Sequence, residues 1–248
     1  MLFDSPLVVH VPHASRYIPE DMRRDFLCLD LDRELLLMTD LYCDELFDTE
    51  AERILFPVSR LVCDPERFRD PEEEIMEKVG MGAVYTRCSG GLPLRDIDAL
   101  DREKILRRYY DPHHQRLTEA VRRRLLSWER CLIIDGHSFS PEPLSHESDQ
   151  TTPRPDICIG TDSFHTSPRL AERAMTFFRR SGYECCLNRP FAGTIVPGAY
   201  YRRDPRVASL MIEINRKLYM NADGERNADF QKTVEVIGAF LDMMKEEC

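Results

Sequence analysis

The sequence predicts a three-layer α/β fold, in which buried strands form a sheet between layers of helices. Two observations predict it. Short apolar runs end abruptly in polar residues, which is typical of buried strands whose polar ends lie at the carboxyl edge of a sheet. These runs alternate with amphipathic stretches of helical period, as strands and helices do in α/β folds. Because ligands bind at the carboxyl edge of such sheets, functional residues are expected there.

The clearest strand is Cys131–Phe139 (CLIIDGHSF), where an apolar run leads into Asp135 and His137. These two residues are two apart on a strand, so their side chains point to the same face. A carboxylate beside an imidazole fixes the tautomer of the ring, which suits a metal ligand or a catalytic base. A structural histidine at a strand end is the alternative interpretation.

Two further apolar runs carry polar side chains of the same kind. Leu7–Val11 (LVVHV) is followed closely by His13, and the run 209–214 (SLMIEI) contains Glu213. An unpaired carboxylate inside such a strand would be costly, so Glu213 is expected to have a role. By the α/β rule, we expect His13, His137 and Glu213 to converge at one edge of the sheet.

Between the first strands, Asp30 is expected to be the N-cap of a helix over 31–49. Asp40 and Asp44 share one row of that helix with apolar neighbours. Two interpretations stay open: the row is the solvated edge of an amphipathic helix, or one acid faces a metal or an arginine. A strand is predicted over 54–64, and it contains an arginine that needs a partner.

A long helix is predicted in the middle of the chain, with Asp98 or Asp101 as its N-cap. Pro112 is expected to kink this helix or to divide it, because proline has no N–H and its ring clashes with the preceding turn. His113 and His114 follow and are expected on the helix surface. The other predicted elements are a Gly- and Pro-rich loop over 80–95, the end of the long helix near 128, strands over 156–160 and 184–188, and helices over 168–181 and 227–246.

Composition restricts the class of protein. With 248 residues, 42% of them hydrophobic and 31% charged, the chain is expected to form a single domain over 1–248. The net charge of −10 argues against binding to nucleic acid or to an anionic membrane. No apolar stretch approaches the ~18 residues of a membrane span, and the first residues do not read as a signal peptide, so we expect a cytoplasmic protein. The nine cysteines lack any CxxC spacing and are expected to be reduced thiols.

The candidate residues match one recurring kind of catalytic centre. Two histidines and one carboxylate around Zn²⁺, with a fourth position open, form such a centre. A glutamate outside the ligand set passes a proton from the attacking water to the departing amine. The sequence has no HExxH, GxSxG, Walker or GxGxxG motif, which disfavours the corresponding proteases, serine hydrolases and nucleotide-binding enzymes.

Short motifs that follow one another along nearly the whole chain indicate a resemblance to one protein family, which is more specific than any single motif. They are VPHAS, TDLYCDELF, SRLVCDPERF, GGLPL, YYDPHHQRL, IIDGHSF, PDICIGT, NRPFAG and MIEINRKLYM. In these motifs the chain resembles the N-formylglutamate amidohydrolase family, which is similar to zinc carboxypeptidases and aspartoacylases. The resemblance implies a mixed, mostly parallel twisted sheet with helices on both faces, one zinc ion at its carboxyl edge, and a small-molecule substrate that carries a carboxylate.

The resemblance also implies roles for individual residues. His13 and His137 match zinc ligands, and Asp40 is preferred over Asp44 as the third ligand. Glu213 matches the general base. Arg67 in DPERF matches a substrate-binding arginine. We further predict His114 and Asn215 as substrate-binding residues, and Asp135 and Asp44 as residues that orient the ligands from behind.

Three positions depart from the family pattern. Arg16 stands where carboxypeptidases have their acidic ligand, so the third ligand must come from elsewhere. Glu66 stands where asparagine is usual, and an acid there disfavours an anionic substrate unless it pairs with an arginine. The lysine expected after Phe191 is Ala192, and Arg202 is the candidate to replace its charge.

The leading hypothesis is a zinc-dependent amidohydrolase of a small N-acyl amino acid. With N-formyl-L-glutamate, water activated by Glu213 would attack the acyl carbonyl, and formate and L-glutamate would result. Zinc and an arginine would stabilise the developing oxyanion. A second hypothesis changes the substrate to another N-acyl amino acid or a small peptide. A third hypothesis is an inactive family member with a binding or regulatory role.

Overall fold

Six strands form one sheet in the computed structural model, which describes residues 5–96 and 100–247. Their order is β2-β1-β3-β6-β4-β5, and every neighbouring pair is parallel except β4 with β6. The predicted mixed, mostly parallel sheet is therefore confirmed. The strands are β1 (Leu7–Val11), β2 (Glu52–Leu55), β3 (Cys131–Phe139), β4 (Ile157–Gly160), β5 (Cys185–Leu187) and β6 (Val207–Asn215).

Helices connect the strands and cover both faces of the sheet. They are α1 (Glu20–Arg23), α2 (Leu31–Met38), α3 (Cys43–Leu46), α4 (Arg102–Ile105), α5 (Asp111–Trp128), α6 (Pro168–Arg180) and α7 (Phe230–Glu247). Short 3₁₀ helices occupy Ile75–Val79 and Arg216–Leu218, and a π-helical segment occupies Leu106–Tyr110. None of the helices in the described part of the chain is long and apolar enough to cross a membrane.

The alternation of side chains along each strand builds a separate core on each face. On one face, α5 packs Leu117 and Val121 against Val8 and Ile133. On the other face, α3, α6 and α7 pack against the side chains that point the opposite way, including Ile134. Full burial of each such aliphatic side chain contributes about 2 kcal/mol to folding. The predicted three-layer architecture is confirmed.

The helix predicted over 31–49 is wrong in one respect, because it breaks into α2 and α3. Asp30 caps α2 as expected, accepting a hydrogen bond from the backbone N–H of Arg33 at 3.0 Å. Thr39 is then extended, and Tyr42 adopts a left-handed conformation with φ of 66° before α3 begins. At the break, the backbone N–H of Asp40 donates to the carbonyl of His13 at 3.0 Å. This bond ties the break to the end of β1.

The strand predicted over 54–64 is also shorter than expected. β2 ends at Leu55, and the following segment forms turns that lead into a cluster of loops. Within it, Arg60 has the partners that its burial demands: its Nη2 donates to Asp64 at 2.8 Å and its Nε to the hydroxyl of Tyr85 at 3.2 Å. Asp64, at the end of the predicted strand, lies at the site described below.

The central helical stretch is helical without a break from 102 to 128, so Pro112 does not divide it; the irregularity is a π-helical segment on its N-terminal side. Asp101 caps α4 by accepting from the N–H of Lys104 at 3.0 Å, whereas Asp98 lies outside the described residues. The π-helical segment comes directly before Pro112, where the proline removes a helix hydrogen bond and wider turns relieve its ring. The expectation for His113 is wrong: α5 turns it toward the sheet, and only 2% of it is exposed.

The remaining elements lie close to their predicted positions. β1 and β3 have the predicted bounds, α6 ends before Gly182 with its φ of 90°, and α7 begins three residues later than predicted, at Phe230 rather than 227. The glycine between Asp135 and His137 has a steric reason, since a Cβ at Gly136 would lie 2.7 Å from the ring of Phe47. The described cysteines are free thiols, and most are buried, as the composition predicts.

Candidate metal and active site

Three buried side chains converge at the carboxyl edge of the sheet. His13 follows β1, His137 lies in the last part of β3, and Asp40 lies at the break between α2 and α3. The Nδ1 atoms of the two rings are 3.2 Å apart. Asp40 Oδ2 is 3.3 Å from Nδ1 of His137 and 3.6 Å from Nδ1 of His13. No member of this trio is more than 5% exposed.

Each imidazole of the trio is held from behind by a carboxylate. Nε2 of His13 donates to Asp64 Oδ1 at 2.8 Å, and Nε2 of His137 donates to Asp135 Oδ1 at 3.0 Å. Asp64 and Asp135 are fully buried, and the nearby positive groups lower their pKa values although burial alone would raise them. Ionised carboxylates only accept hydrogen bonds, so both rings carry a proton on Nε2. The lone pairs on Nδ1 therefore face each other across 3.2 Å.

This arrangement demands positive charge between the two rings. Facing lone pairs repel unless a proton or a metal ion lies between them, and the adjacent carboxylate of Asp40 adds negative charge. The pKa of His137 shows the same demand: burial lowers it, but the carboxylates of Asp135, Asp40 and Glu213 raise it well above the ordinary value. Two imidazole nitrogens and one carboxylate oxygen, each imidazole backed by a carboxylate, form a donor set that suits Zn²⁺.

Asp40 is oriented by an arginine that the sequence did not single out. Nη2 of Arg216 donates to Asp40 Oδ1 at 3.0 Å, which leaves Oδ2 turned toward the two histidines. Nη1 of Arg216 donates to the carbonyl of Leu37 at 2.7 Å and so satisfies one open carbonyl at the end of α2. Asn215 caps the short helix that carries Arg216, because its Oδ1 accepts from the N–H of Lys217 at 3.2 Å.

Glu213 lies beside the trio on β6. Its Cα is paired with that of His137 in the β3–β6 register, and 8% of the residue is exposed. Its Oε2 is buried and has no hydrogen-bond partner among the described residues. Burial raises the pKa of Glu213 to about 8. A buried, unpartnered carboxyl group with a raised pKa is well suited to accept and release a proton.

The loop cluster beyond β2 supports the site from the side of His13. Asp64 Oδ2 accepts from Tyr85 at 2.6 Å and from Arg60 at 2.8 Å, while its Oδ1 holds His13. Arg67 lies next to this group, with Nε 3.9 Å from Asp64 Oδ2. Its hydrogen bond to the carbonyl of Met81 also uses Nε. Neither terminal nitrogen of Arg67 has a hydrogen bond to another described residue, so both can contact a ligand.

Some predicted site residues lie elsewhere or have structural tasks. Asp44 is on the exposed side of α3, so it does not orient the trio from behind; the break in the helix separates it from Asp40. The Arg202 side chain is 61% exposed, and its contacts are with Asp162 and the ring of Tyr201.

His114 is half-buried and contacts the carbonyl of Pro65 at 2.9 Å. Asn215 is buried, and its Nδ2 donates to the carbonyl of Pro155 at 2.9 Å, so its amide groups serve the fold.

Sequence reasoning missed Asp64 and Arg216 as site residues and did not consider His10. His10 is fully buried within β1, and Asp135 Oδ1 lies 2.8 Å from its Nδ1. The signal was present, since a histidine inside the apolar run LVVHV needs a partner as much as Glu213 does. No comparable local signal marks Arg216, whose role depends on α2 ending where it does.

Known proteins resemble this chain in sequence family and in fold. The model of the N-formylglutamate amidohydrolase family matches residues 5–220. No curated protein matches the sequence. A crystal structure described as N-formylglutamate amidohydrolase from Ralstonia eutropha JMP134 has 24% identity and a TM-score of 0.85, covering 98% of this chain and 94% of that one. A gene product of Agrobacterium tumefaciens has 20% identity and a TM-score of 0.66, with 98% and 92% covered. At these identities, the two structures establish a shared fold.

Proposed function

Because the chain belongs to the N-formylglutamate amidohydrolase family, we propose that it is a zinc-dependent hydrolase of a small N-acyl amino acid, with N-formyl-L-glutamate as the first substrate to test. The observation that carries this proposal is the pair of Nδ1 atoms 3.2 Å apart, facing each other beside Asp40. His13, Asp40 and His137 would hold the metal ion. A bound zinc ion would act as a Lewis acid on the attacking water and on the acyl carbonyl.

Glu213 performs the proton transfers in this proposal. Its Oε2 has no competing hydrogen bond within the described part of the chain, so it can take a proton from the attacking water. The same carboxyl group then donates the proton to the nitrogen of the departing amino acid, which leaves as a neutral amine. Burial excludes competing water and keeps the proton on the reaction path.

Arg67 is the best-placed residue to hold a substrate carboxylate. Its terminal nitrogens form the fork that matches a carboxylate in two parallel hydrogen bonds. Glu66 does not counteract this contact, because burial raises its pKa well above the ordinary value and keeps the carboxyl group neutral. Among the described residues no arginine forms an ion pair with Glu66, and its Oε1 lies 3.3 Å from Nδ1 of His10. Arg202, exposed and paired with Asp162, is a weaker candidate.

We expect the purified protein to contain about one zinc ion per chain and to release formate from N-formyl-L-glutamate. Because Arg67 supplies a carboxylate contact, N-formyl-L-glutamate should have a higher kcat/KM than at least one of its two monoamides, N-formyl-L-glutamine and the α-amide. The poorer of the two monoamides identifies the carboxylate that Arg67 holds. Metal analysis of protein prepared without chelators measures the zinc content. Assays with a panel of formyl, acetyl and uncharged analogues measure the substrate preference. An acetyl compound as the best substrate would favour a deacylase of another N-acyl amino acid. Zinc-free protein without turnover would favour the binding or regulatory member.

The third ligand can be tested with two matched substitutions. We expect Asp40→Asn to weaken zinc binding strongly, because an amide oxygen is a poorer ligand than a carboxylate and the contact with Arg216 is also weakened. Asp44→Asn makes the same chemical change four residues away, on the exposed side of α3, and should bind zinc as the wild type does. Zinc affinity measured by competition with a chromophoric chelator distinguishes them. A stronger loss in Asp44→Asn would refute the assignment of Asp40.

A further inference from the structure

A chain of buried hydrogen bonds continues from the candidate metal site into the middle of the sheet. It runs from His137 through Asp135 and His10 to His113 on α5. Asp135 Oδ1 lies 3.0 Å from Nε2 of His137 and 2.8 Å from Nδ1 of His10. Nε2 of His10 lies 2.8 Å from Nε2 of His113. His10 and Asp135 are fully buried, and His113 is 2% exposed.

The proton positions in this chain follow from its chemistry. Asp135 is ionised and only accepts hydrogen bonds, so Nδ1 of His10 must carry a proton. Burial lowers the pKa of His10 and of His113, so each ring is neutral and carries a single proton. Nε2 of His10 therefore has a lone pair, which must accept from Nε2–H of His113. For neutral rings, this arrangement alone satisfies both 2.8 Å contacts.

We propose that His10 is a positioning residue for the metal site: its Nδ1–H, fixed by the hydrogen bond from His113, holds Asp135 so that Asp135 accepts from Nε2 of His137. This orientation keeps the lone pair on Nδ1 of His137 directed at His13 and Asp40. The inference rests on the proposed function, because it assigns His10 to the same metal site. The proposal adds His10 on β1 and His113 on α5 to the residues that hold the metal site in place through Asp135.

The strand register makes His10 suited to this task. Its Cα is paired with that of Asp135 between β1 and β3, so the two side chains lie side by side on one face of the sheet. The other oxygen of Asp135, Oδ2, accepts a longer hydrogen bond, from the N–H of Ile195 at 3.2 Å. Without the donor of His10, the carboxylate loses its shortest hydrogen bond and can turn away from His137. Loss of such an indirect partner costs about 10- to 100-fold in metal affinity.

A second metal ion is the rival explanation of the same contacts. Nδ1 of His10, Oδ1 of Asp135 and Oε1 of Glu66 also lie close enough to hold a cation. In that case Nδ1 of His10 would be an unprotonated ligand, and the protein would bind two zinc ions per chain with similar affinity. Two tightly bound zinc ions would therefore overturn the proposal.

The tautomers can be read in metal-free protein by long-range ¹H–¹⁵N NMR of the histidine rings. We expect His10 to carry its proton on Nδ1 and His113 to carry its proton on Nε2. The signals are assigned by their loss in His10→Asn and in His113→Gln. A proton on Nε2 of His10 would contradict the proposal. Because no metal and no substrate are used, this result is independent of the proposed function.

Two amide substitutions at position 10 test the consequence for zinc. The amide nitrogen of an asparagine side chain can occupy the position of Nδ1 of the histidine that it replaces. The amide nitrogen of a glutamine side chain can occupy the position of Nε2. We expect His10→Asn to keep the donor to Asp135 and to bind zinc within about threefold of the wild type. His10→Gln should lose about 10- to 100-fold in zinc affinity. Chelator competition measures both affinities, and thermal unfolding of the metal-free variants shows whether each is folded.

Equal zinc affinities of the two variants, whether both retained or both lost, would overturn the proposal. Equal losses would mean that His10 serves packing alone, and equal retention would mean that Asp135 does not need it. The proposed function can fail separately. A wild-type protein that binds zinc but hydrolyses no N-acyl amino acid would refute that function and leave the role of His10 standing.

Discussion

Replacing His137 with alanine is expected to abolish zinc binding and amide hydrolysis together. The substitution removes one of the two proposed imidazole ligands, whose Nδ1 atom lies 3.2 Å from that of His13. A three-residue donor set reduced to two loses more affinity than the about 10- to 100-fold that an indirect partner contributes. Zinc bound at the proposed site should raise the melting temperature of the wild type, and the variant should lose this increase. Zinc content, turnover and thermal unfolding with and without zinc measure the three effects.

His165→Ala is the matched control for the loss of a buried imidazole. His165 is 2% exposed, and the hydrogen bonds of its ring are with backbone groups, the carbonyl of Val207 at 2.7 Å and the N–H of Arg202 at 2.7 Å. We expect this variant to be less stable than the wild type but to bind zinc normally. If His137→Ala retained one zinc ion per chain, the assignment of the metal site would be wrong. Equal zinc loss in both variants would show that unfolding, rather than ligand removal, is measured.

The carboxyl edge of the sheet is the part of the molecule that the sequence predicts best. The runs that form β1, β3 and β6 are apolar and short, and each carries a polar side chain that has no reason to be buried unless it acts there. Parallel pairing of these strands then brings His13 and His137 together. This prediction needs only side-chain periodicity and the direction of the strands, both of which are local properties.

The residue pattern alone could not place Asp40, which is preferred over Asp44 only through the family resemblance, because the cause of its position is not local. Nothing in LLLMTDLYCDEL is a strong helix breaker, so the periodicity favours one continuous helix. The helix ends because Asp40 bonds to the backbone of His13 and to the side chain of Arg216, which are distant in sequence. Those tertiary contacts outweigh helix propensity, which is worth less than about 1 kcal/mol per residue. They also separate Asp40 from Asp44.

The hydrogen-bonded histidines illustrate a second limit. His10 and Glu213 carry the same signal, a polar residue inside an apolar strand, yet only the strand register shows that His10 faces Asp135. His113 carries the opposite signal, since a histidine near the start of a polar helix is normally exposed. It is buried because α5 packs on β1 with this face, where the ring of Phe56 contacts it edge-on. The partners of both rings are therefore set by packing between elements.

Replacing Glu213 with glutamine is expected to leave zinc bound while reducing kcat by about 10²-fold or more, the contribution of a positioned general base. Glutamine has nearly the same shape, but its amide cannot take a proton from water or return one to the departing amine. The fold should tolerate the change, because Oε2 of Glu213 has no hydrogen bond to lose among the described residues. Steady-state kinetics with the best substrate of the panel, together with zinc analysis, makes the measurement.

Glu34→Gln is the control for the same substitution at another buried glutamate. Glu34 is 6% exposed and accepts from the hydroxyl of Ser89 at 2.9 Å, a structural partner of a kind that Oε2 of Glu213 does not have among the described residues. We expect Glu34→Gln to lower the melting temperature with little change in kcat, and Glu213→Gln to do the reverse. The contrast separates proton transfer from packing. A near-normal rate in Glu213→Gln would show that another residue is the general base. The buried carboxyl group of Glu66 would be the next to test, since burial also raises its pKa.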